Sequence, residues 1–504
     1  MRPTFDLVRS PWIPCLRADG TLMELGLRDA LVRAHELREV HGESPLVTAA
    51  LYRLLLAILH RVFGPASYAE WGRLWEAGRW DAARLDAYFD RWRDRFDLFH
   101  PERPFYQASD DRVKPKPLNR LVHEIAHGNN PLLFDHHLED GTLSLTPAEA
   151  ARALVALQCF GLAGLSGLSQ NYTDGPCARG IVFLVLGENL FETLALNLAR
   201  YPDREDREED RPAWEAEDPF LPDRTAPLGR LDLFTWQNRR ILLFPEETEE
   251  DIVVRQMTEA PALRLKTDVL DPMKHYSRDG TQGPRLLRFR EGRALWRDSA
   301  ALFQLRTEGH HPPLAFRWLS ELVEEGYLSP HQTRRYMALG MDSDQAKIRY
   351  YRVERMPLPL EYLREPDLVE SLREALAVAE AVSGQLWGAT RRLATLLLSP
   401  DADTGEGHQP DRKDVDGLLN RWAVDRAYWA RLERPFLRLV EDLVRRGEDA
   451  VEEWRETVRR TAWEAFNRLD KDLGRDPRTL KAAVRARGQL AAGLKKVLGH
   501  PAEG

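Results

Sequence analysis

The sequence predicts an α+β protein in two parts, a large mixed domain over residues 1–365 and an all-α domain over residues 366–504. Three observations point there. A chain of 504 residues exceeds what one ordinary hydrophobic core accommodates. Up to about Leu360, short β-like runs such as "GIVFLVLG" (Gly180–Gly187) and "RRILLFP" (Arg239–Pro245) mix with helical stretches and many turns. Beyond "MPLPLEYLREPD" (Met356–Asp367), prolines become rare and apolar residues recur at three- and four-residue spacing.

Along the chain, "MRPTFDLVRSPWIPCL" has neither a continuous apolar stretch nor a small-residue cleavage site, so a cytoplasmic location is expected. Leu46–Gly64 is apolar enough to suggest a membrane span, but Arg53, His60 and Arg61 interrupt it at helical periodicity, and it reads as a buried amphipathic helix. Cys15, Cys159 and Cys177 form no C-x-x-C pair and read as buried thiols. Residues 201–224 hold ten acidic and four basic side chains with four prolines, which predicts a solvated excursion; "EETEED" (Glu246–Asp251) reads the same way. Four helices are then expected, at about Leu368–Leu398, Val415–Arg446, Ala450–Leu469 and Arg478–Leu498, packed as an antiparallel bundle.

A net charge of −8 argues against a general nucleic-acid binder, which needs a basic surplus to displace phosphate counterions. Local patches remain open. Residues 367–504 balance at 24 basic and 24 acidic side chains, so the whole deficit lies in the first domain. From Trp454 onward, twelve basic side chains stand against six acidic ones, a face suited either to a nucleic-acid backbone or to i,i+4 pairing in water.

One motif suggests chemistry. His123, Glu124 and His127 have the H-E-x-x-H spacing of zinc metalloproteases, with Glu139 or Glu149 as a possible third ligand. The helix that would carry them can run only from about Leu118 to His127, between Pro117 and the "GNNP" that follows. His127 would then sit in a fraying last turn. A zinc-dependent hydrolase is therefore the alternative reading and not the main one. No P-loop, G-x-S-x-G, dinucleotide fingerprint or Cys/His zinc set is present. The "GLAGLSGLSQNYTDG" run (Gly161–Gly175) lacks the Lys-Ser/Thr of a phosphate cradle but permits close backbone approach to a partner.

Several ordered segments resemble one family. "FDLVRSPWIPCLRADGTLMELGLRDAL", "EIAHGNNPLLFDHH", "TWQNRRILLFP", "ALWRDSAALF" (Ala294–Phe303) and "GMDSDQAKI" (Gly340–Ile348), with a closing helical bundle, are similar to CasA, the large subunit of the type I-E CRISPR surveillance complex, Cascade. The resemblance covers nearly the full length. It implies a noncatalytic mixed domain of unusual topology followed by a four-helix bundle, with no cofactor and no metal. It also implies work with the other Cascade subunits, crRNA, double-stranded target DNA and a helicase-nuclease effector, away from any membrane. Base pairing to the guide reads sequence in such complexes, and protein reads a short flanking motif.

Residue by residue, the resemblance makes Gln345 a wedge at a hairpin tip, with Asp344 and Ala346 beside it. Some family members carry Asn at the position of Asp344; an ionised acid there repels phosphate and donates no hydrogen bond. Gly164 and Gly167 match a glycine loop that approaches the minor groove. Lys274 or Arg278 matches a lysine finger reaching groove acceptors or a phosphate. Asn129, Asn130, Phe134 and Asp135 match a loop that contacts the crRNA 5′ region. A scaffold without DNA contact would explain the bundle but leaves Gln345 and the glycine loop without a role.

Overall fold

The computed structural model describes residues 3–123, 143–201, 209–249, 251–279, 283–305, 308–344, 347–403, 407–471, 473–474 and 476–499. Two compact units emerge, Met1–Arg290 with Leu305–Arg355, and Glu291–Gln304 with Met356–Gly504. The expected boundary after residue 365 therefore falls ten residues earlier, and a short upstream segment joins the helical unit. The reason is apolar anchoring: Trp296 is fully buried, 4.5 Å from Phe436 and 5.6 Å from Trp429 between ring centroids. Arg293 and Arg297 both pair with Glu380 at 2.8 Å.

The first unit is built around the helix Pro45–Val62. Ser44 caps it by accepting the Val47 N–H, and Pro45 fills a position that needs no donor. Leu46 to His60 are all buried, as the apolar periodicity predicts. Arg53 sits in this core because it is neutralised: its guanidinium pairs with Asp271 at 2.8 Å and donates to the carbonyls of Leu233 and Phe234 at 2.9 and 3.3 Å. The helix Pro147–Phe160 packs on it, with a full capping box between Thr146 and Glu149. Trp12, Leu51, Leu154, Val182 and Met337 belong to the same core, each worth about 1.5–3 kcal/mol by burial.

Around this core lie small sheets. β1 (Ile13–Arg17), β2 (Leu22–Leu25) and β3 (Leu37–Val40) form one, in the order β2-β1-β3. β4 (Lys116–Pro117), β6 (Arg239–Glu247) and β7 (Ile252–Pro261) form a second, in the order β4-β7-β6. β5 (Ile181–Leu186), β10 (Thr333–Asp344) and β11 (Lys347–Pro359) form a third, in the order β11-β10-β5. β8 (Tyr276–Asp279) and β9 (Gly283–Leu286) make a separate hairpin.

Among the described residues of the acidic excursion, two carboxylates are not solvated. Asp210 is fully buried and accepts the Leu231 and Asp232 N–H groups at 2.9 and 2.8 Å, as well as the Tyr201 hydroxyl. Glu215 is buried against Arg61 at 2.7 Å and the Tyr88 hydroxyl at 2.8 Å. These carboxylates close the N-terminus of the short helix Arg230–Phe234 and neutralise an arginine, which local charge density does not reveal.

In the second unit, Val369, Leu372, Leu376, Ala379, Leu386 and Leu393 form the buried stripe of the helix Pro366–Leu398. The expected helix from Val415 to Arg446 is two, Arg412–Trp422 and Val424–Arg446, divided by Ala423 at φ +48°. A left-handed alanine has no sequence signature. The helices Glu448–Lys471 and Pro477–Leu498 complete the bundle, so four long helices carry one short appendage. Their basic residues are partly spent on their own neighbours: Arg459 pairs with Glu456 at 2.6 Å, and Arg455 with Glu452 at 3.8 Å.

Candidate nucleic-acid interface

The third sheet presents a projecting hairpin. β10 pairs antiparallel with β5 from Arg335 opposite Leu186 to Gly340 opposite Ile181. A Cβ on Gly340 would lie 2.8 Å from the Gly180 carbonyl oxygen, so this close crossing requires glycine. Beyond it, Met341–Asp344 run past the end of β5 with β11 as β10's remaining neighbour. Two residues link β10 to β11 in the chain. Those two are Gln345 and Ala346, which lie outside the described residues. Asp344 stands at the base of the turn, exposed, with its carboxylate 2.7 Å from the Arg349 guanidinium; Asp342 is 3.6 Å from the same group. Arg349 thereby offsets the repulsion that an acid at this position would exert on phosphate.

The glycine loop follows the helix Pro147–Phe160 and is a closed stem with an open tip. The Cys177 N–H donates to the Cys159 carbonyl at 2.8 Å and the Gly175 N–H to that of Gly161 at 2.7 Å. Gly164 and Tyr172 exchange both backbone bonds, at 3.3 and 2.9 Å. At the tip, the Ser166 hydroxyl donates to the Gln170 carbonyl at 2.6 Å and accepts the Leu168 N–H at 2.9 Å. Four glycines do two jobs. A Cβ on Gly161 would lie 2.2 Å from the Arg239 guanidinium, and one on Gly175 2.6 Å from the Cys159 carbonyl oxygen. Gly164 and Gly167 meet nothing within 4 Å, and Gly167 needs its freedom for φ +80°.

The loop is moored to the second sheet. Arg239 donates to the Leu162 carbonyl at 2.7 Å, Asn238 to that of Thr173 at 2.9 Å, and the Tyr172 hydroxyl to that of Glu259 at 3.0 Å. Glu259 holds the base of this network through Lys116 at 2.7 Å and Arg239 at 3.1 Å. Burial alone would raise its carboxyl; Lys116, Arg239 and Arg120 outweigh that and hold it below the ordinary value of 4.5. A depressed carboxyl contributes stability that is present above 4.5 and lost as pH falls from there toward its folded value. Amide hydrogen exchange at Gly164 and Tyr172 is therefore expected to accelerate, relative to the core helix Pro45–Val62, as pH drops below about 4.5. Equal protection of the loop and core at about pH 3.5 and about pH 6 would contradict this role for Glu259.

One side chain joins loop and hairpin. Asp174 accepts the Ala163 N–H on one oxygen at 2.7 Å and the Arg179 Nε–H on the other at 2.8 Å. The Nη1 of Arg179 donates to the Ser343 hydroxyl at 2.6 Å and to its carbonyl at 3.2 Å.

Other expected residues are placed differently. Lys274 is not a solvent-facing finger: it is 4% exposed, and its ammonium donates to the carbonyls of Pro176 and Arg179 at 2.5 and 2.6 Å. Burial pulls that ammonium below its ordinary value, while Asp271 supports the charge. Arg278 lies in β8 opposite Pro284, and its side chain falls outside the described residues. So do Asn129, Asn130, Phe134 and Asp135. Of the metalloprotease spelling, Glu124, His127 and the candidate ligand Glu139 also lie outside. The expected helix leading into it is only a 3-10 turn, Leu118–Arg120, and the chain has left helical geometry by Val122. Glu149 is occupied as a cap, accepting the Thr146 N–H and hydroxyl at 2.8 and 2.9 Å. Sequence reasoning missed Asp174, Arg179, Arg239 and Glu259 as site residues; charged residues flanking a Gly-rich run were the available signal.

The model of the family described as CRISPR-associated protein Cse1 matches residues 6–465. The chain belongs to the Cse1 family. CRISPR-associated protein CasA/Cse1 of Thermus thermophilus is 37% identical over 497 residues, 95% of each chain. The crystal structure of Cse1 from Acidimicrobium ferrooxidans superposes with a TM-score of 0.83 at 28% identity, covering 99% of both chains. A chain of a CRISPR RNA-guided surveillance complex superposes with a TM-score of 0.75 at 25% identity, covering 97% of this chain and 100% of that one. The mixed first unit and helical second unit are thus the architecture of Cse1 structures.

Proposed function

We propose that this Cse1-family chain is the noncatalytic large subunit of a cytoplasmic Cascade complex, assembled with the other Cascade subunits and crRNA. It recognises the protospacer-adjacent motif in double-stranded target DNA, parts the strands with Gln345 to start crRNA pairing, and helps recruit the helicase-nuclease. The observation that carries the reading is the junction of the glycine loop with the Gln345 hairpin through Arg179 and Ser343. A loop with open space at Gly164 lets backbone approach base edges, and the adjoining hairpin enters between base pairs. Unstacking costs a few kcal/mol per step and is offset by new contacts. A net charge of −8 suits a protein that samples much DNA and leaves quickly.

The test compares reconstituted complexes with and without this chain. With it, duplex capture should depend on the flanking motif; without it, capture should persist only for targets whose strands are already unpaired. Motif-independent capture by the complete complex would refute the reading.

Asp344 gives a second test. Asp344→Asn removes a negative charge next to Gln345 and one of the two carboxylates facing Arg349, so affinity for the duplex should rise about 2- to 10-fold at low salt. The gain should shrink at high salt, because exposed charges are screened within about 10 Å at roughly 0.1 M. A loss of affinity would mean that DNA binding uses the carboxylate itself.

A further inference from the structure

We propose that Arg179 is a positioning residue that couples the glycine loop to the Gln345 hairpin, so that a duplex seated on the loop sets where the hairpin enters. The proposal rests on the function proposed above and adds a part to it.

The hairpin needs such a device. β5 pairs with β10 as far as Gly340, and Met341 is the last side chain of the arm buried in the core, so Asp342–Asp344 extend beyond the register with β5. Arg179 stands just before β5 and spans the gap. Its planar fork holds Asp174 by Nε and Ser343 by Nη1, two directions at once, which a lysine ammonium on a flexible stem does not reproduce. Asp174 in turn holds the Ala163 N–H, next to Gly164. From Gly164 to the residue two before Gln345, the connection is therefore a short series of charge-assisted hydrogen bonds.

The backbone that carries the fork is braced. Lys274 grips the Arg179 and Pro176 carbonyls, and its own turn is fixed by Asp271, which accepts the Met273 N–H at 2.9 Å and pairs with Arg53 at 2.8 Å. Arg53 belongs to the central helix. The Arg179 guanidinium therefore reaches Asp174 and Ser343 from a backbone tied to the core, so its two contacts set the spacing between loop and hairpin.

The experiment uses Arg179→Ala, Arg179→Lys, Gln345→Ala and the Arg179→Ala/Gln345→Ala double variant in the reconstituted complex. Ser343→Ala, which removes the hydroxyl contact and leaves Arg179 in place, serves if Arg179→Ala does not fold. Arg179→Ala should weaken intact-duplex binding about 10-fold, change binding to a pre-opened target by less than about 2-fold, and add nothing to Gln345→Ala. Arg179→Lys should not rescue it. Ser343→Ala should show the same selectivity with a smaller loss. Additive losses, or equal losses on both targets, would overturn the coupling. A second readout needs no DNA: in the free protein, Arg179→Ala should raise hydrogen exchange in both the loop, at Gly164 and Tyr172, and in β10 beyond Gly340. A rise in only one of the two, or in neither, would overturn the coupling. Should Gln345→Ala leave duplex binding unchanged, the wedge reading fails by itself and the exchange measurement decides the role of Arg179.

Discussion

Replacing Gln345 by alanine is expected to weaken binding of the reconstituted complex to an intact duplex by about 10- to 100-fold, while binding to a target with unpaired flanking strands changes little. The size follows from what a wedge replaces. Parting a base step costs a few kcal/mol, and the side chain recovers it by filling the gap and bonding exposed base edges. Alanine is too short to fill the gap and has no amide, so about 1.4–2.7 kcal/mol should go unrecovered, each 1.4 kcal/mol being a factor of ten. A target already open bears no such cost. Equal loss on the two substrates would sink the wedge and make Gln345 an ordinary contact. Guanidinium or carboxylate substitutions are less informative here, because Asp342, Asp344 and Arg349 already set a charge balance beside the turn.

The second large effect is on stability. Glu259→Gln keeps the size of the side chain and removes its charge, leaving Arg239, 3% exposed, and the half-buried Lys116 without their counter-ion. Breaking a buried pair from one side costs about 3–5 kcal/mol, because an uncompensated charge remains inside. Chemical denaturation of the purified chain should show that loss in the unfolding of the first unit. Hydrogen exchange should show where it acts, with the glycine loop opening before the core helix. Arg239→Met combined with Glu259→Leu should be milder than Glu259→Leu alone, since the fully buried cation goes with the carboxylate and only Lys116 and Arg120, both nearer the surface, lose their counter-ion. If the single variant unfolds at wild-type denaturant concentration, the network is a bystander.

Much of the fold was legible because periodicity reports burial directly. The bundle helices, the apolar helix around Leu51 and the β5 and β6 strands follow from spacing alone. What spacing does not carry is an address. Trp296 announces that it will be buried but not that it will be buried against Phe436, so Glu291–Gln304 was assigned to the other unit. Asp210 and Glu215 sit in a run that looks solvated because their partners, the Leu231 N–H and Arg61, are distant in sequence. The site divides the same way. A Gly-rich run and the string Asp344-Gln345-Ala346 are local features that a sequence comparison can align. The resemblance offers Lys274 or Arg278 as a finger, but it does not reveal that the Lys274 ammonium is committed to two carbonyls far upstream, those of Pro176 and Arg179. Arg179 was overlooked because its importance lies entirely in the two segments it touches.

The glycine loop, finally, bears on how such a protein can change over time. Its base admits no side chain, since any Cβ at Gly161 or Gly175 collides with Arg239 or with backbone, while Gly164 faces open space and Leu165 is 81% exposed. Substitutions at Gly164 and Leu165 therefore change the outer surface of the loop at almost no cost to folding. On the function proposed above, a changed flanking motif can be met by drift at these two positions, on a frame whose base cannot vary.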